Sequence, residues 1–427
     1  MKIAAVKGMK DVLPTAQGED AAFNSRIWER IEAASRKVFA LYGFEFIHTP
    51  VLEESRLFAR AVGEDTDIVG KEMYAFEDRG GKHLALRPEN TAGAVRAYVE
   101  QGLPMRDPVQ RWCYFGPMFR RERPQRHRYR QFFQLGVESF GVAAPEEDVE
   151  ILALCRDLVE AIGLGGVELR LNSLGDAACR PAYLQILRAF LEERRERLCA
   201  DCRRRIERNP LRALDCKEPG CVEATRGAPA AHEHLCGACK EHFDRVIAGT
   251  TALGIPYVLD GRLVRGLDYY TRTAFEISAS ALGKGQQTAV CGGGRYDALV
   301  QMLGGPPTPA IGFAMGVERI AFMLADAEGV PAHSTDLFLA FIDAQGREKA
   351  QELARAARRR GIRTEMDLRG GKVSRQLSRA DKRGARFAVV LGGSEVESGR
   401  ARLKEMATGE ETELSLDALV EEVWKRR

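Results

Sequence analysis

Residues Phe119–Gln134 read FRRERPQRHRYRQFFQ, and six of these sixteen are arginine. Runs with strand character flank the stretch on both sides, Pro108–Phe119 before it and Arg130–Phe140 after it. A strand that returns through a local turn onto a second strand makes an antiparallel pair. The stretch therefore points to an antiparallel sheet and away from a doubly wound β-α-β alternation. Fixed positive charge at this density repels itself unless an anion or carboxylates offset it. Two expectations follow: a bound anion, or a solvated loop.

Alternation along the strands sharpens the first expectation. Phe132, Gln134, Gly136 and Glu138 share one face of the second strand, which sets an aromatic, an amide, a gap and a carboxylate in a row. On the partner, Arg120 and Glu122 share a face, and Phe119 and Arg121 take the other. Such a surface suits a flat, polar ligand.

Working outward, 427 residues exceed one ordinary core and predict two or three domains. With 45% hydrophobic and 29% charged residues and a mean hydropathy of −0.28, the composition is that of a soluble globular protein. No run approaches the roughly 20 apolar residues that span a bilayer. The opening MKIAAVKGMKDVLP has only Ile3–Val6 as an apolar run, which is no signal peptide, so a cytoplasmic location is expected. A net charge of +3 permits a polyanionic partner without demanding one.

Asp20–Tyr42 carries apolar residues at helical spacing and stops at Gly43. GFEFIHTPVLEE reads as a strand running up to Pro50, and His83–Arg87 as a short strand. Asn90 or Thr91 is placed to cap the helix AGAVRAYVEQ. Near Asn172–Asp176 the texture changes to a helical text rich in arginine and cysteine, and strand-like text resumes after about Leu253. The pattern predicts one sheet domain over residues 1–330, interrupted by a mainly helical insertion over 177–252. From 335 to 427 the order is βαβαβ, a small α/β domain with a mostly parallel sheet.

Three further constellations stand out. LVRGLDYYTRTAFE carries Arg265, Asp268, Tyr269, Tyr270 and Arg272. In AVCGGGRYDAL, Gly292–Gly294 precede Arg295 and Tyr296 and allow a close backbone approach. AIGFAMGVERIAFML puts Arg319 in the first turn of a helix, against the helix dipole unless it serves something else. None of these is a Walker A or GxGxxG loop.

Together the segments resemble the signature motifs of the class II aminoacyl-tRNA synthetases, and within them the histidyl-tRNA synthetase family. GFEFIHTPVLEE is similar to motif 1, with Pro50 at the dimer-forming strand. FRRERPQRHRYRQF is similar to motif 2 and GFAMGVERI to motif 3, while LVRGLDYYTRTAFE and GGGRYD resemble the two motifs peculiar to the histidine enzymes. The likeness runs from GMKDVLP to ADKRGARFAVVLGG. It departs from the family pattern at Asn90, where glycine is usual, and at Arg121 and His127 within motif 2.

The resemblance implies an α+β catalytic domain built on an antiparallel sheet, followed by an α/β domain that binds the anticodon through its basic segments Arg358–Arg360 and Lys372–Lys382. It implies a homodimer that joins histidine to ATP, giving histidyl-adenylate and pyrophosphate, and then passes the histidyl group to the 3′ end of its tRNA. By the same resemblance Arg120 takes the α-phosphate, Arg128 and Arg319 hold the β/γ end, Glu122 faces the adenine amino group and Phe132 stacks on the ring. Arg265 is the family's distinctive arginine near the α-phosphate, and it and Arg120 are the catalytic cations. Magnesium travels with the ATP phosphates. Glu89, Thr91 and Gln134 correspond to the surroundings of the α-amino group; Glu138, Tyr270 and Tyr296 correspond to those of the imidazole. Arg265 and Tyr269 complete the histidine set. Arg123 and Gln125 fall where such enzymes contact the tRNA acceptor end. The rival reading is a catalytically silent relative that regulates histidine biosynthesis. Such relatives lose the motif 2 arginines, the RGLDYY arginine and the last domain, and all of these are present here.

Six of the ten cysteines lie between Cys199 and Cys239. CADC (Cys199, Cys202) and CGAC (Cys236, Cys239) have the spacing of a tetrahedral zinc site in which each pair clamps one edge of the ion. One structural zinc on those four is expected, with packed free thiols as the alternative. His232, His234 and His242 compete for places in the ligand set, and Cys216 could replace one of the four.

Overall fold

The computed structural model describes residues 3–63, 66, 68–122, 128–282, 288–332 and 334–427. Contacts divide the chain after Val330. The first unit is built on an eight-stranded sheet in the order Glu45–Phe46, Gln110–Phe119, Gln131–Phe140, Ala310–Gly316, Ala289–Arg295, Thr271–Ala279, Val167–Ser173, Val258–Leu259. All neighbours are antiparallel except the two outermost pairs, which are parallel. The arginine-rich stretch does connect two antiparallel strands, with Phe119 opposite Gln131, Gly116 opposite Gln134 and Trp112 opposite Glu138.

Period two sorts the strand Gln131–Phe140 into two environments. Leu135 and Val137 are fully buried against the helices Ser25–Leu41 and Pro145–Ile162, together with Ile27, Ile31, Val38, Leu154 and Leu158. Local chemistry sets those helices. The Asn24 side chain accepts from the Arg26 N–H at 3.1 Å and starts the first. Pro145 and the acidic run Glu146–Asp148 open the second, in keeping with its dipole. The opposite face, with Phe132, Gln134 and Glu138, is left for a ligand.

GFEFIHTPVLEE is not one strand. Glu45–Phe46 pairs with the large sheet, whereas Leu52–Glu54 joins a separate three-stranded sheet with His83–Leu86 and Tyr74–Glu77. Pro50, which cannot donate to a ladder, lies between the two. The segment Arg180–Ala252 is helical, and Tyr183, Leu187 and Leu191 of its first helix pack with Leu198, Cys202 and Ile206.

In the second unit Thr335–Phe341 pairs in parallel with Thr364–Met366 and Ala385–Leu391, through the helices Ala344–Arg359 and Val373–Lys382. Two antiparallel strands, Arg400–Glu405 and Glu411–Ser415, extend this sheet beyond the expected βαβαβ. Only Ala401 and Leu403 point inward from the first of them, and ion pairs such as Arg400–Glu413 (3.4 Å) cross its outer face. That left little apolar period to read. Among the described residues no helix is long and apolar enough to cross a membrane.

Candidate active site

A cleft opens on the free face of the large sheet. It is lined by Glu89, Thr91, Arg120, Glu122, Arg128, Phe132, Gln134, Glu138, Arg265, Tyr269, Tyr270, Tyr296 and Arg319. Residues spread over more than two hundred positions of sequence thus meet in one place. Arg123 and Gln125 lie outside the described residues.

At one end Glu138 is almost wholly buried. Its carboxylate accepts from the Thr91 hydroxyl at 2.7 Å, the Tyr114 phenol at 3.3 Å and the Tyr296 phenol. Burial, reinforced by nearby Glu89, outweighs those hydrogen bonds and pushes the carboxyl up to about 8. Tyr114 had no signal of its own in the sequence. It stands opposite Gly136, and its phenol fills the space where a side chain at Gly136 would sit. The gap read at Gly136 is therefore the socket for a tyrosine. Tyr270 and Tyr296 flank Tyr269, with ring centroids 4.7 and 5.6 Å away.

Glu89 takes over the capping role expected of Asn90 or Thr91. Its carboxylate accepts from the Thr91 N–H at 2.7 Å and the Ala92 N–H at 2.9 Å, at the N-terminus of the helix Thr91–Glu100. A charged acceptor matches the helix dipole better than a neutral one. Asn90, where the family pattern has glycine, instead accepts from the Thr49 hydroxyl (2.5 Å) and Arg87 (3.2 Å).

Four arginines crowd the middle and far end. Arg120 donates to the Pro88 carbonyl at 2.9 Å, and its guanidinium sits 5.2 Å from the centre of the Phe132 ring. Arg128 pairs with Glu122 at 2.9 Å and Arg265 with Glu276 at 2.7 Å. Arg319 donates to the Ala289 carbonyl. Burial and the neighbouring Arg128 lower it to about 10, so it stays charged at neutral pH. Helix position alone made Arg319 look misplaced; its side chain lines the cleft beside Arg120 and Arg128. Gln134 Oε1 and Arg265 Nε are buried with no hydrogen-bond partner among the described residues. Orphaned polar atoms in a cleft are groups awaiting a ligand.

The triple glycine has a specific cause. A Cβ at Gly292 would overlap the Arg265 guanidinium, and Gly294 sits at φ +152° against the Thr273 carbonyl and Tyr270. Strand alternation sends Arg295 the other way, where it is fully buried and bonded to Asp148 at 2.7 Å. Asp268 bonds Asn209 and Arg212 (3.1 and 2.9 Å), and Arg272 turns at φ +50° towards Asp176, so neither lines the cleft. Two residues of the insertion that carried no signal in the sequence have neighbours among the cleft arginines: burial raises Asp215 to about 6 against the pull of Lys217, Arg212 and Arg265, and burial and the nearby Arg128 lower Lys217.

The expected zinc set is not assembled. Cys199 and Cys202 lie with Cys216 and Cys221, whereas Cys236 and Cys239 lie with Asp176 and Cys179. The two Cys-x-x-Cys pairs sit in different clusters, with Cys199 and Cys236 each preceding a different helix, Ala200–Arg208 and Gly237–Ala252. His232 and His242 belong to neither cluster and bond Asn172 (2.9 Å) and Asp148 (3.2 Å).

The antiparallel sheet, with arginines and buried carboxylates on its one open face, has the architecture expected of a class II aminoacyl-tRNA synthetase catalytic unit. The family model for histidyl-tRNA synthetase matches residues 8–320, and that for the anticodon binding domain matches 330–426. A histidine–tRNA ligase of Anaeromyxobacter dehalogenans is 54% identical over 99% of this chain and all of its own length. That of Trichlorobacter lovleyi is 49% identical over 98% of this chain and 97% of its own. The apo crystal structure of the Staphylococcus aureus histidyl-tRNA synthetase superposes with a TM-score of 0.80 at 35% identity, covering 99% of this chain and 100% of that one. The chain belongs to the histidyl-tRNA synthetase family.

Proposed function

We propose that the chain is a histidine–tRNA ligase and that the cleft performs its two half-reactions. The observation that carries this reading is one cleft with four arginines at one end, buried carboxylates at the other, and Gln134 Oε1 and Arg265 Nε unpaired between them. In the first step a histidine carboxylate oxygen attacks the α-phosphorus of ATP. The bond from that phosphorus to the bridging oxygen breaks, and pyrophosphate leaves with the electron pair. Two like-charged groups approach while negative charge builds on the leaving group, so positioning and fixed cations do most of the work. Arg120 and Arg265 meet the α-phosphate, Arg128 and Arg319 the β/γ end, Glu122 the adenine amino group, and Phe132 the adenine ring. In the second step the terminal tRNA hydroxyl attacks the adenylate carbonyl carbon and AMP leaves.

Glu89, Thr91 and Gln134 surround the α-amino group in this reading; Glu138, Tyr269, Tyr270 and Tyr296 surround the imidazole. A pocket of buried polar groups that pair only with the right side chain discriminates by about 10⁴–10⁵, which makes editing unnecessary. Magnesium enters with the nucleotide. Glu122, the carboxylate at the arginine end of the cleft, pairs with Arg128, so a magnesium ion there would be held chiefly through the triphosphate and would help neutralise its charge. The last unit binds the anticodon, and Arg123 and Gln125 meet the acceptor end. Exposed Leu52 and Phe76 on the small sheet support a homodimer, and the reading places the enzyme in the cytoplasm.

Full-length kinship at 54% identity with a histidine–tRNA ligase, and retention of Arg120, Arg128 and Arg265, favour the enzyme over the regulatory relative. Pyrophosphate exchange measured with each amino acid tests the reading. Exchange with histidine alone is expected; exchange with none, or with proline or threonine instead, overturns it.

A further inference from the structure

The insertion brings its cysteines into two separate groups of four potential ligands. Sγ atoms of Cys199, Cys202, Cys216 and Cys221 all lie within 4.8 Å of one another, and so do the ligand atoms of Asp176, Cys179, Cys236 and Cys239. The Sγ atoms of Cys199 and Cys216 are 3.9 Å apart. Four sulfurs held about 2.3 Å from a zinc ion stand about 3.8 Å apart at the edges of their tetrahedron. The spacing is already that of a ligand shell.

Both groups share one local design. Cys199 and Cys236 each occupy the position before a helix, with nearly the same backbone angles (φ −66°, ψ 164° and φ −68°, ψ 164°). The Cys199 sulfur accepts the Cys202 N–H at 3.5 Å. The Cys221 sulfur accepts the Cys199 N–H at 3.1 Å. Backbone donors aimed at sulfur favour the thiolate, the form that binds metal. The second group adds a different observation. Arg272 reaches Asp176 at 3.5 Å, and Arg180, next to Cys179 in the chain, donates to the Leu174 and Gly175 carbonyls just before Asp176. A dication on three thiolates and a carboxylate leaves two negative charges, and these two arginines offset them.

We propose that the insertion holds two structural zinc ions, one on Cys199, Cys202, Cys216 and Cys221 and one on Asp176, Cys179, Cys236 and Cys239. Thiolate-rich tetrahedral shells select zinc over hard cations. Each ion displaces the thiol protons of its ligands to solvent on binding. Neither site touches substrate. The first fixes Cys216, which lies between Asp215 and Lys217 in the chain. The second ties Asp176, just before the insertion, to Cys236 and Cys239 at the head of its last helix Gly237–Ala252, and through Arg272 to the strand that follows Tyr270.

Elemental analysis of the full chain purified without chelators tests the proposal independently of catalysis. About two equivalents of zinc per chain are expected, one for each tetrahedral site. Cys216→Ser and Cys179→Ser should each lose one equivalent and keep the other. One equivalent or none in the unaltered chain overturns the proposal, as does another metal at those sites or full zinc content in either variant. Should a variant fail to fold, cobalt(II) added to the metal-stripped unaltered chain decides the matter. The visible band of tetrahedral cobalt–thiolate must saturate at two ions, and saturation at one, or no band, overturns it.

Discussion

The Arg265 guanidinium lies across the backbone of Gly292 at a separation that leaves no room for a Cβ. The two residues come from different motifs, and each accounts for the other: the arginine reaches the cleft only because the strand beneath it has no side chain there. Gly292→Ala is therefore expected to displace Arg265 while leaving the fold intact, since the obstructing group is the far end of a long side chain. Pyrophosphate exchange should fall by about 10²–10³, the scale for one lost charge-stabilising donor, and Arg265→His should fall by a similar factor. The double variant should fall little further than either single variant, because both remove one interaction. Fully multiplicative losses would refute the coupling.

Glu138 makes a pH prediction whose sign is fixed by its burial. Its carboxyl keeps a proton up to about 8 in the folded chain, against an ordinary value of 4.5 when exposed. Between those values the folded state binds the extra proton, so this group's contribution to stability declines as pH rises, by at most about 1.4 kcal/mol per pH unit. Glu318, also raised to about 8 by burial, acts in the same direction, so the unaltered chain alone does not isolate Glu138. Glu138→Gln does. Relative to the unaltered chain its melting temperature should climb steadily from pH 5 to pH 8, on top of a constant offset from the altered hydrogen bonds. Parallel curves would show that Glu138 ionises normally.

The sequence made the sheet and most of the site readable for a physical reason. Period two along Phe132, Gln134 and Glu138 is local, and so is the density of arginine in the stretch between the two strands. What depended on that path stayed hidden. Tyr114 joins the site only because the register sets it opposite Gly136. Nothing around Gly292 says that Arg265 will cross it. Cys-x-x-Cys spacing marks each pair as one edge of a shell but does not say which distant ligands, such as Cys216 or Asp176, close it.

The motif 2 loop gives a prediction that separates the two half-reactions. Arginine forks and side-chain amides suit a guanine edge and its phosphate, and Arg123 and Gln125 stand one and three positions after Glu122, which the proposed reading sets against the adenine. Gln125→Ala and Arg123→Ala should lower the rate of tRNA charging several-fold more than they lower pyrophosphate exchange. An equal fall in both rates would assign the loop to ATP alone.

The last prediction concerns Arg295, which stands next to Tyr296 in the sequence and has the opposite task. Its side chain is fully buried, donates to the Val142 and Ala144 carbonyls at 3.0 and 2.9 Å, and meets the equally buried Asp148 at 2.6 Å. Asp148 is also bonded to His242 at 3.2 Å, and these partners hold its carboxyl below the usual range despite its burial. Removing the cation leaves an uncompensated charge in the core, so Arg295→Met should cost on the order of 3–5 kcal/mol of stability. Adding Asp148→Asn removes the stranded charge and should recover part of that loss, a coupling of about 0.5–3 kcal/mol between the two positions. Recovery should be incomplete, because the Val142 and Ala144 carbonyls still lack their donor. Urea unfolding of the two single variants and the double variant measures each quantity. Strictly additive losses would mean that the pair is not coupled and that Arg295 acts only on the backbone.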